Sequence, residues 1–307
     1  MLRRALIAAS GSRVLRRIAE DAAVASSVAG RFVAGTTLDQ ALAATGQLNR
    51  AGMSVTLDHL GEAVHDAAVA ARNTGAYVAA LDAVHHAGLD ASVSVKPTAV
   101  GLDVDQELCR EHVARICTRA AQTGTHVTLD MEGSQHTQGT LDLVLDLRGK
   151  GQDNLGCAVQ AYLYRTEHDV RVLSGAGASL RLCKGAYAEP SSIAHQSRTD
   201  VSASYLRSAE WLLQHGVHPR FATHDHVLIG RIRDLAVRHG VGLDRFELQM
   251  LYGVRPPLQR RIVDAGHRLR VYVPYGQEWY PYFVRRLAER PANLTFFLRA
   301  LVGRRGS

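Results

Sequence analysis

From the start of the chain to about residue 48, apolar positions recur at helical spacing. Leu2, Leu6, Leu15, Ile18, Leu38, Leu42 and Leu48 mark the stripe, with alanines between them. The pattern predicts helices only. Thr37 and Asp39 form the expected cap region ahead of ALAATGQLNR. From Gly52 the pattern changes, and short β-rich runs alternate with longer helical ones. The predicted strands are MSVTLD (53–58), ASVSVK (91–96), HVTLDM (126–131), CAVQAYL (157–163), SLRLCK (179–184), RFATHD (220–225), FELQML (246–251) and LRVYVP (269–274). Glycines such as Gly52, Gly88, Gly124, Gly156 and Gly266 lead into them as turn signals.

A run of eight β-then-α units predicts an α/β fold of the (β/α)8 TIM-barrel type. The rival is an open, doubly wound sheet. That architecture usually has fewer units and a phosphate-gripping glycine loop after its first strand, and no such loop follows MSVTLD. The expected organisation is a helical arm over residues 1–48 and a barrel over residues 49–307. No internal repeat or low-complexity linker interrupts it.

The predicted strand ends are polar. Asp58 and His59 end the first, Lys96 the second, and Asp130 and Glu132 the third. Gln160 lies in the fourth, Arg181 and Lys184 mark the fifth, and Tyr187 lies just beyond. Thr223, His224 and Asp225 end the sixth, Gln249 lies in the seventh, and Tyr275 follows the eighth. Charged groups at buried strand ends need partners. Each position alone reads equally well as a structural ion pair, but all of them together point to a site at the C-terminal mouth. His224 and His226 would share a face of a continuing strand, yet no third or fourth ligand accompanies them, so no metal site is expected.

The segment YGQEWYPYFVRRLAE adds a second feature. On a helix Tyr282, Arg285, Arg286 and Glu289 share one stripe. Paired arginines beside tyrosines suit a small anion with an apolar body, such as an amino-acid carboxylate. The plainer reading is a solvated helix carrying an Arg285–Glu289 pair. A mouth rich in cations and tyrosines, with few acid–base groups, suits an anionic substrate and an electron-rich, phosphate-bearing cofactor.

Charge and cysteine content narrow the rest. The formal net charge is +7, but the excess gathers at the two ends, at Arg3, Arg4, Arg13, Arg16, Arg17 and Arg31 and again at Arg304 and Arg305. No basic and aromatic stripe crosses the middle, so nucleic acid is not an expected partner. A basic arm of this kind fits an anionic membrane surface, although packing of its helices on the barrel is the plainer reading. Cys109, Cys117, Cys157 and Cys183 are widely spaced and read as small buried side chains in a reducing compartment. No run approaches the length of a membrane span. The expectation is a cytoplasmic protein, with contact at the inner face of the membrane left open.

The motifs TLDHLGE, SVSVKP, TLDME, VQAYLYR, LRLCKGAY, FATHD, FELQMLYG, VPYG and YFVRRLAE together resemble the proline dehydrogenase family, specifically its monofunctional bacterial branch. The resemblance covers nearly the whole chain. It implies a distorted barrel that binds FAD without a covalent link, under a final helix lying over the mouth. It implies that Lys96, Arg285 and Arg286 hold the carboxylate of L-proline, and that Tyr275 and Tyr282 pack against its ring. Asp130 and Arg181 match the positions regarded as catalytic. Met131, Gln160, Lys184, Gly185, Ala186, Tyr187, Thr223 and His224 match positions at or beside FAD. The implied reaction takes a hydride from proline C5 to flavin N5, yields Δ1-pyrroline-5-carboxylate, and passes electrons to a quinone. Two departures stand out: Gly133, where relatives often carry an acid, and Cys183, where Val is more usual. A bulky Tyr275 favours proline over hydroxyproline. The rival reading, from another class, is a non-catalytic barrel that binds an anionic metabolite or nucleic acid through its cationic mouth. A third is a flavoenzyme of the same fold acting on another cyclic or N-alkyl amino acid.

Overall fold

The computed structural model describes residues 30–61 and 63–289, with side chains through Val284. Its elements run in the order α1 (Leu38–Arg50), β1 (Ser54–His59), α2 (Ala67–His86), β2 (Ala91–Val95) and a short 3-10 turn (Pro97–Val100). Then come α3 (Gln106–Gln122), β3 (Val127–Leu129), α4 (Ser134–Gly149), β4 (Leu155–Gln160), α5 (Thr166–Gly175) and β5 (Leu180–Cys183). The order closes with α6 (Arg198–His215), β6 (Arg220–Ala222), α7 (His226–Arg238), β7 (Glu247–Leu251), α8 (Pro256–Asp264), β8 (Leu269–Tyr275) and α9 (Trp279–Glu289). All eight predicted strands form. They are parallel and close into a barrel, β1 pairing with both β2 and β8.

Alternation within the strands sorts their side chains. Val55, Leu57, Val93, Val95, Val127, Leu129, Leu180, Leu182, Val271 and Val273 belong to the main buried core, together with apolar residues of the surrounding helices. Burying each such side chain stabilises by about 1.5–3 kcal/mol. The intervening residues are polar and bond to one another across the barrel. Thr56 Oγ1 lies 3.0 Å from Ser92 Oγ, Arg220 reaches Thr128, and Arg270 reaches Glu247. The barrel thus has an oily outside and a polar inside.

Helix α1 starts as expected, with Thr37 as its cap and Gln40 completing a capping box. It packs against β1 and β8, the place where a regular barrel puts the helix that follows its last strand. That leaves α9 free to take another course. Phe283, Tyr282, Tyr280 and Trp279 of α9 are buried with Phe32, Val33 and Leu60. The 32–35 segment is tied to the end of β8 by Ala34 N to Pro274 O at 2.9 Å, and Gly276 N donates to Gly35 O at 3.0 Å. The last helix therefore lies at the mouth, where the C-terminal strand ends open.

Some boundaries differ from expectation. Strand β4 begins two residues early, and Gly156 lies inside it instead of in a turn; a Cβ there would strike the carbonyl oxygen of Ser179, the residue just before β5. Strands β3 and β6 are shorter than predicted because the residues beyond them serve loops and caps. Asp225, for example, accepts from Val227 N at 3.0 Å and caps α7. His226 is the first residue of α7, so it shares no strand face with His224. Among the described residues no helix is long and apolar enough to cross a membrane. The leucine stripe and arginines of residues 1–29 lie outside the described residues.

Candidate active site

Two adjoining layers of polar groups fill the barrel. The upper one holds most of the expected site. Arg181, on β5, is 3% exposed. Its Nη1 donates to Asp130 Oδ1 at 2.7 Å and to Ser94 Oγ at 2.9 Å, and its Nε donates to Gln249 Oε1 at 2.7 Å. Asp130 stands one residue beyond β3. It also accepts from Ser94 Oγ at 2.7 Å and from the Tyr272 hydroxyl at 2.6 Å. The Arg181 guanidinium lies over the Tyr272 ring, 5.2 Å from its centroid. Burial disfavours the Arg181 cation, but Asp130 and neighbouring groups more than offset this and hold its pKa above the usual arginine value. Burial and then Asp130 push the Tyr272 phenol well up, so it stays a proton donor.

Lys96 lies just past β2. Its Nζ donates to Asp58 Oδ1 at 2.5 Å and stands 3.8 Å from Asp130 Oδ2. Both carboxylates stand at strand ends, and Asp58 is the nearer partner of this lysine. That aspartate is fully buried, and burial raises its carboxyl above the ordinary range against the pull of Lys96. Beside this pair Tyr275 is buried with its ring 5.4 Å from that of His59. Burial lowers the His59 pKa and Asp58 raises it only in part, so the ring is neutral at neutral pH. A cavity of about 610 Å3 opens here between the loop after β1 and the start of α9. Lys96, His59, Arg72, Asn73, Glu278 and Tyr282 contribute to its walls. Arg285 and Arg286 fall on α9, but their side chains lie outside the described residues, as does that of Glu289.

A second group of expected residues gathers on the β4–β6 side. The Gln160 amide spans two loops: Nε2 donates to Glu132 O at 2.9 Å, and Oε1 accepts from Ala186 N at 3.3 Å. Gly185 adopts φ +115°, and a Cβ there would run into the Tyr162 ring, so only glycine fits the close approach. Lys184 pairs with Asp225 at 3.0 Å on the rim. Thr223 is buried and its Oγ1 accepts from Asp225 N at 3.1 Å. His224 Nε2 accepts from Leu251 N at 2.9 Å, which puts the ring proton of a neutral imidazole on Nδ1. Met131 is buried next to Asp130, and Tyr187 is half-buried in the loop after β5. That loop is pinned to α4, where Glu189 accepts from Ser134 N at 2.8 Å and from Ser134 Oγ at 2.6 Å. Gly133 itself offers no side-chain cap to α4; a carboxylate from another loop supplies it instead. Cys183 is not a core residue but is half-buried at the mouth, whereas Cys109, Cys117 and Cys157 are buried.

The sequence profile of a family described as Proline dehydrogenase matches residues 41–299. The chain belongs to the proline dehydrogenase family. It is 40% identical over 273 residues to Proline dehydrogenase 2 of Bacillus subtilis (strain 168), covering 89% of this chain and 90% of that protein. It is 36% identical over 280 residues to Proline dehydrogenase of Deinococcus radiodurans, covering 90% of each. These relatives are bacterial, in keeping with the branch to which the motifs point. Among solved structures, proline utilization A (PutA) from Bdellovibrio bacteriovorus, inactivated by N-propargylglycine, superposes with a TM-score of 0.82 at 24% identity. The match covers 86% of this chain and 33% of that one, so this chain spans about a third of the PutA length, and the likeness speaks to the fold.

The family's barrel mouth is also where unforeseen residues appear. The sequence marks Asp58 as a strand end but not as a site residue. It does not single out Ser94 or Tyr272, although each stands two residues from a charged neighbour in the same predicted strand run, Lys96 and Arg270. With a period of two, that spacing places them on the same face.

Proposed function

We propose that this chain oxidises L-proline to Δ1-pyrroline-5-carboxylate with FAD as its cofactor, and that a quinone takes the electrons. The observation that carries this reading is the buried Asp130–Arg181 cluster at the barrel mouth of a proline dehydrogenase family member. The residues present fit a flavin nucleotide. Arg181 Nη2 is buried with no hydrogen-bond partner among the described residues, leaving a charged donor available to an acceptor from outside the chain. Gly185 brings backbone close to the mouth, and Lys184 adds a cation on the same side. Met131, Gln160, Ala186, Tyr187, Thr223 and His224 complete the proposed holding set.

Bound FAD would accept the hydride from proline C5. Everything else falls to the chain. Arg285, Arg286 and Lys96 bind the substrate carboxylate, which fixes the ring by bidentate contacts and removes much of the entropic cost of reaction. Tyr275 and Tyr282 wall the ring, and the bulk of Tyr275 supports proline over its hydroxylated analogue. Asp130 holds Arg181 in place, and Arg181 offers fixed positive charge where negative charge develops. Proline loses a hydride from C5 and a proton from its ring nitrogen, the proton passes to solvent, and the product is a cyclic imine. Contact with a membrane surface through the basic N-terminal arm would bring the enzyme near its acceptor.

The test is the visible spectrum of the purified protein. The reading expects a bound flavin that bleaches when proline is added without oxygen. A colourless protein, or a flavin that other cyclic amino acids bleach and proline does not, would overturn it.

A further inference from the structure

Beneath Asp130 and Arg181 lies the second polar layer, and Gln249 on β7 joins the two. Gln249 Oε1 accepts from Arg181 Nε at 2.7 Å, while Gln249 Nε2 donates to Glu247 Oε1 at 2.7 Å. All three side chains are buried. A guanidinium can only donate and a carboxylate can only accept. The amide between them therefore has one orientation that satisfies both neighbours. Glu247 is itself held from below. Arg270 Nε lies 3.0 Å from each of its carboxylate oxygens, and Arg270 Nη1 donates to Val55 O at 2.6 Å. Burial raises the Glu247 carboxyl, but Arg270 and Arg220 more than offset this and keep it below the ordinary glutamate value, so it is an acceptor at neutral pH.

We propose that Glu247 and Gln249 are positioning residues for Arg181: the carboxylate fixes the amide, and the amide fixes Nε. This rests on the assignment of Arg181 to the flavin made above. Asp130 and Ser94 already hold Nη1. A planar guanidinium fixed at Nε and Nη1 cannot turn about its own bonds, so its remaining nitrogen, Nη2, keeps one direction. Among the described residues nothing accepts from that nitrogen. Partners behind a functional side chain commonly set its orientation in this way. The acceptor character of Glu247 thus reaches Arg181 through a single amide.

The experiment compares Gln249→Leu, Glu247→Gln and the swapped pair Glu247→Gln/Gln249→Glu in the full-length, flavin-loaded protein, with Arg181→Lys as the reference. The swap restores the order of donors and acceptors. An amide at position 247 can accept from Arg270 and donate to a carboxylate at position 249, and that carboxylate can accept from Arg181. Gln249→Leu and Glu247→Gln should each lower kcat about tenfold, the scale of one lost charged hydrogen bond, with KM for proline within about twofold. The reduction potential of the bound flavin should fall in both, and the swap should recover kcat and potential towards wild type. A merely structural role would lower the melting temperature and leave the potential alone; that result in Gln249→Leu overturns the inference even if Glu247→Gln fails to fold. A swap no better than Glu247→Gln also overturns it. If Arg181→Lys leaves kcat and potential unchanged, the assignment of Arg181 to the flavin is wrong, and the inference falls with it.

Discussion

Asp58→Ala removes the carboxylate that stands 2.5 Å from Lys96 Nζ. Asp58 is fully buried and Lys96 is 6% exposed, so the ammonium stays behind mostly shielded, in the wall of the cavity. Removing one partner of a buried pair costs about 3–5 kcal/mol, because the other charge is left uncompensated. Here Asp130 Oδ2 remains 3.8 Å away, which favours the lower end, about 3 kcal/mol. For a chain of 307 residues the melting temperature should fall by about 6 °C, taking about 2 °C per kcal/mol. The double variant Asp58→Leu/Lys96→Met removes both charges and fills the space with apolar atoms. It should lose less stability than Asp58→Ala alone, since the penalty lies in the stranded charge and not in the missing contact. Thermal melts followed by circular dichroism at neutral pH make the comparison. A melting temperature for Asp58→Ala within about 1 °C of wild type would refute the reasoning, as would a double variant less stable than the single one.

Three further outcomes are expected. Arg285→Ala and Arg286→Ala should raise KM for proline sharply while the flavin stays bound, as measured by steady-state kinetics and flavin content; unchanged proline affinity in both would remove the proposed clamp. Gly185→Ala should cost about 1–3 kcal/mol through its left-handed backbone and the Tyr162 ring, and should release flavin on dilution, read as a rise in free-flavin fluorescence. Glu247 has a carboxyl held below its ordinary value of 4.5 by Arg270 and Arg220 against the effect of burial. A carboxyl lowered in the folded state stabilises above its unfolded value, and that contribution disappears as pH falls through the folded one. Melting temperature measured against pH should therefore drop more steeply below about 4.5 in wild type than in Glu247→Gln.

The barrel was legible because its strands are short runs separated by clear turn signals, and all eight appear where expected. The polar strand ends were legible for the same reason, since burial makes charge conspicuous. Partner choice was not. Lys96 bonds to Asp58 before Asp130 because of how β1 and β2 are paired, Asp58 standing opposite Ser94; register is a property of the sheet and is not written in either strand. Tyr272 was hidden inside LRVYVP, where a tyrosine reads as one more strand-forming residue. The tie between Glu189 and Ser134 links positions 55 residues apart, with no local pattern to announce it. Gln249 was visible as a polar residue in a strand, but its role depends on the donor-only and acceptor-only neighbours on either side of it.

Proline deuterated at C5 offers the most direct test of the central claim, that the chain presents this carbon for hydride removal. Anaerobic stopped-flow reduction of the bound flavin should show a primary isotope effect well above unity with that substrate and none of comparable size with proline deuterated at C2. Equal rates for labelled and unlabelled C5, or a large effect confined to C2, would contradict the account.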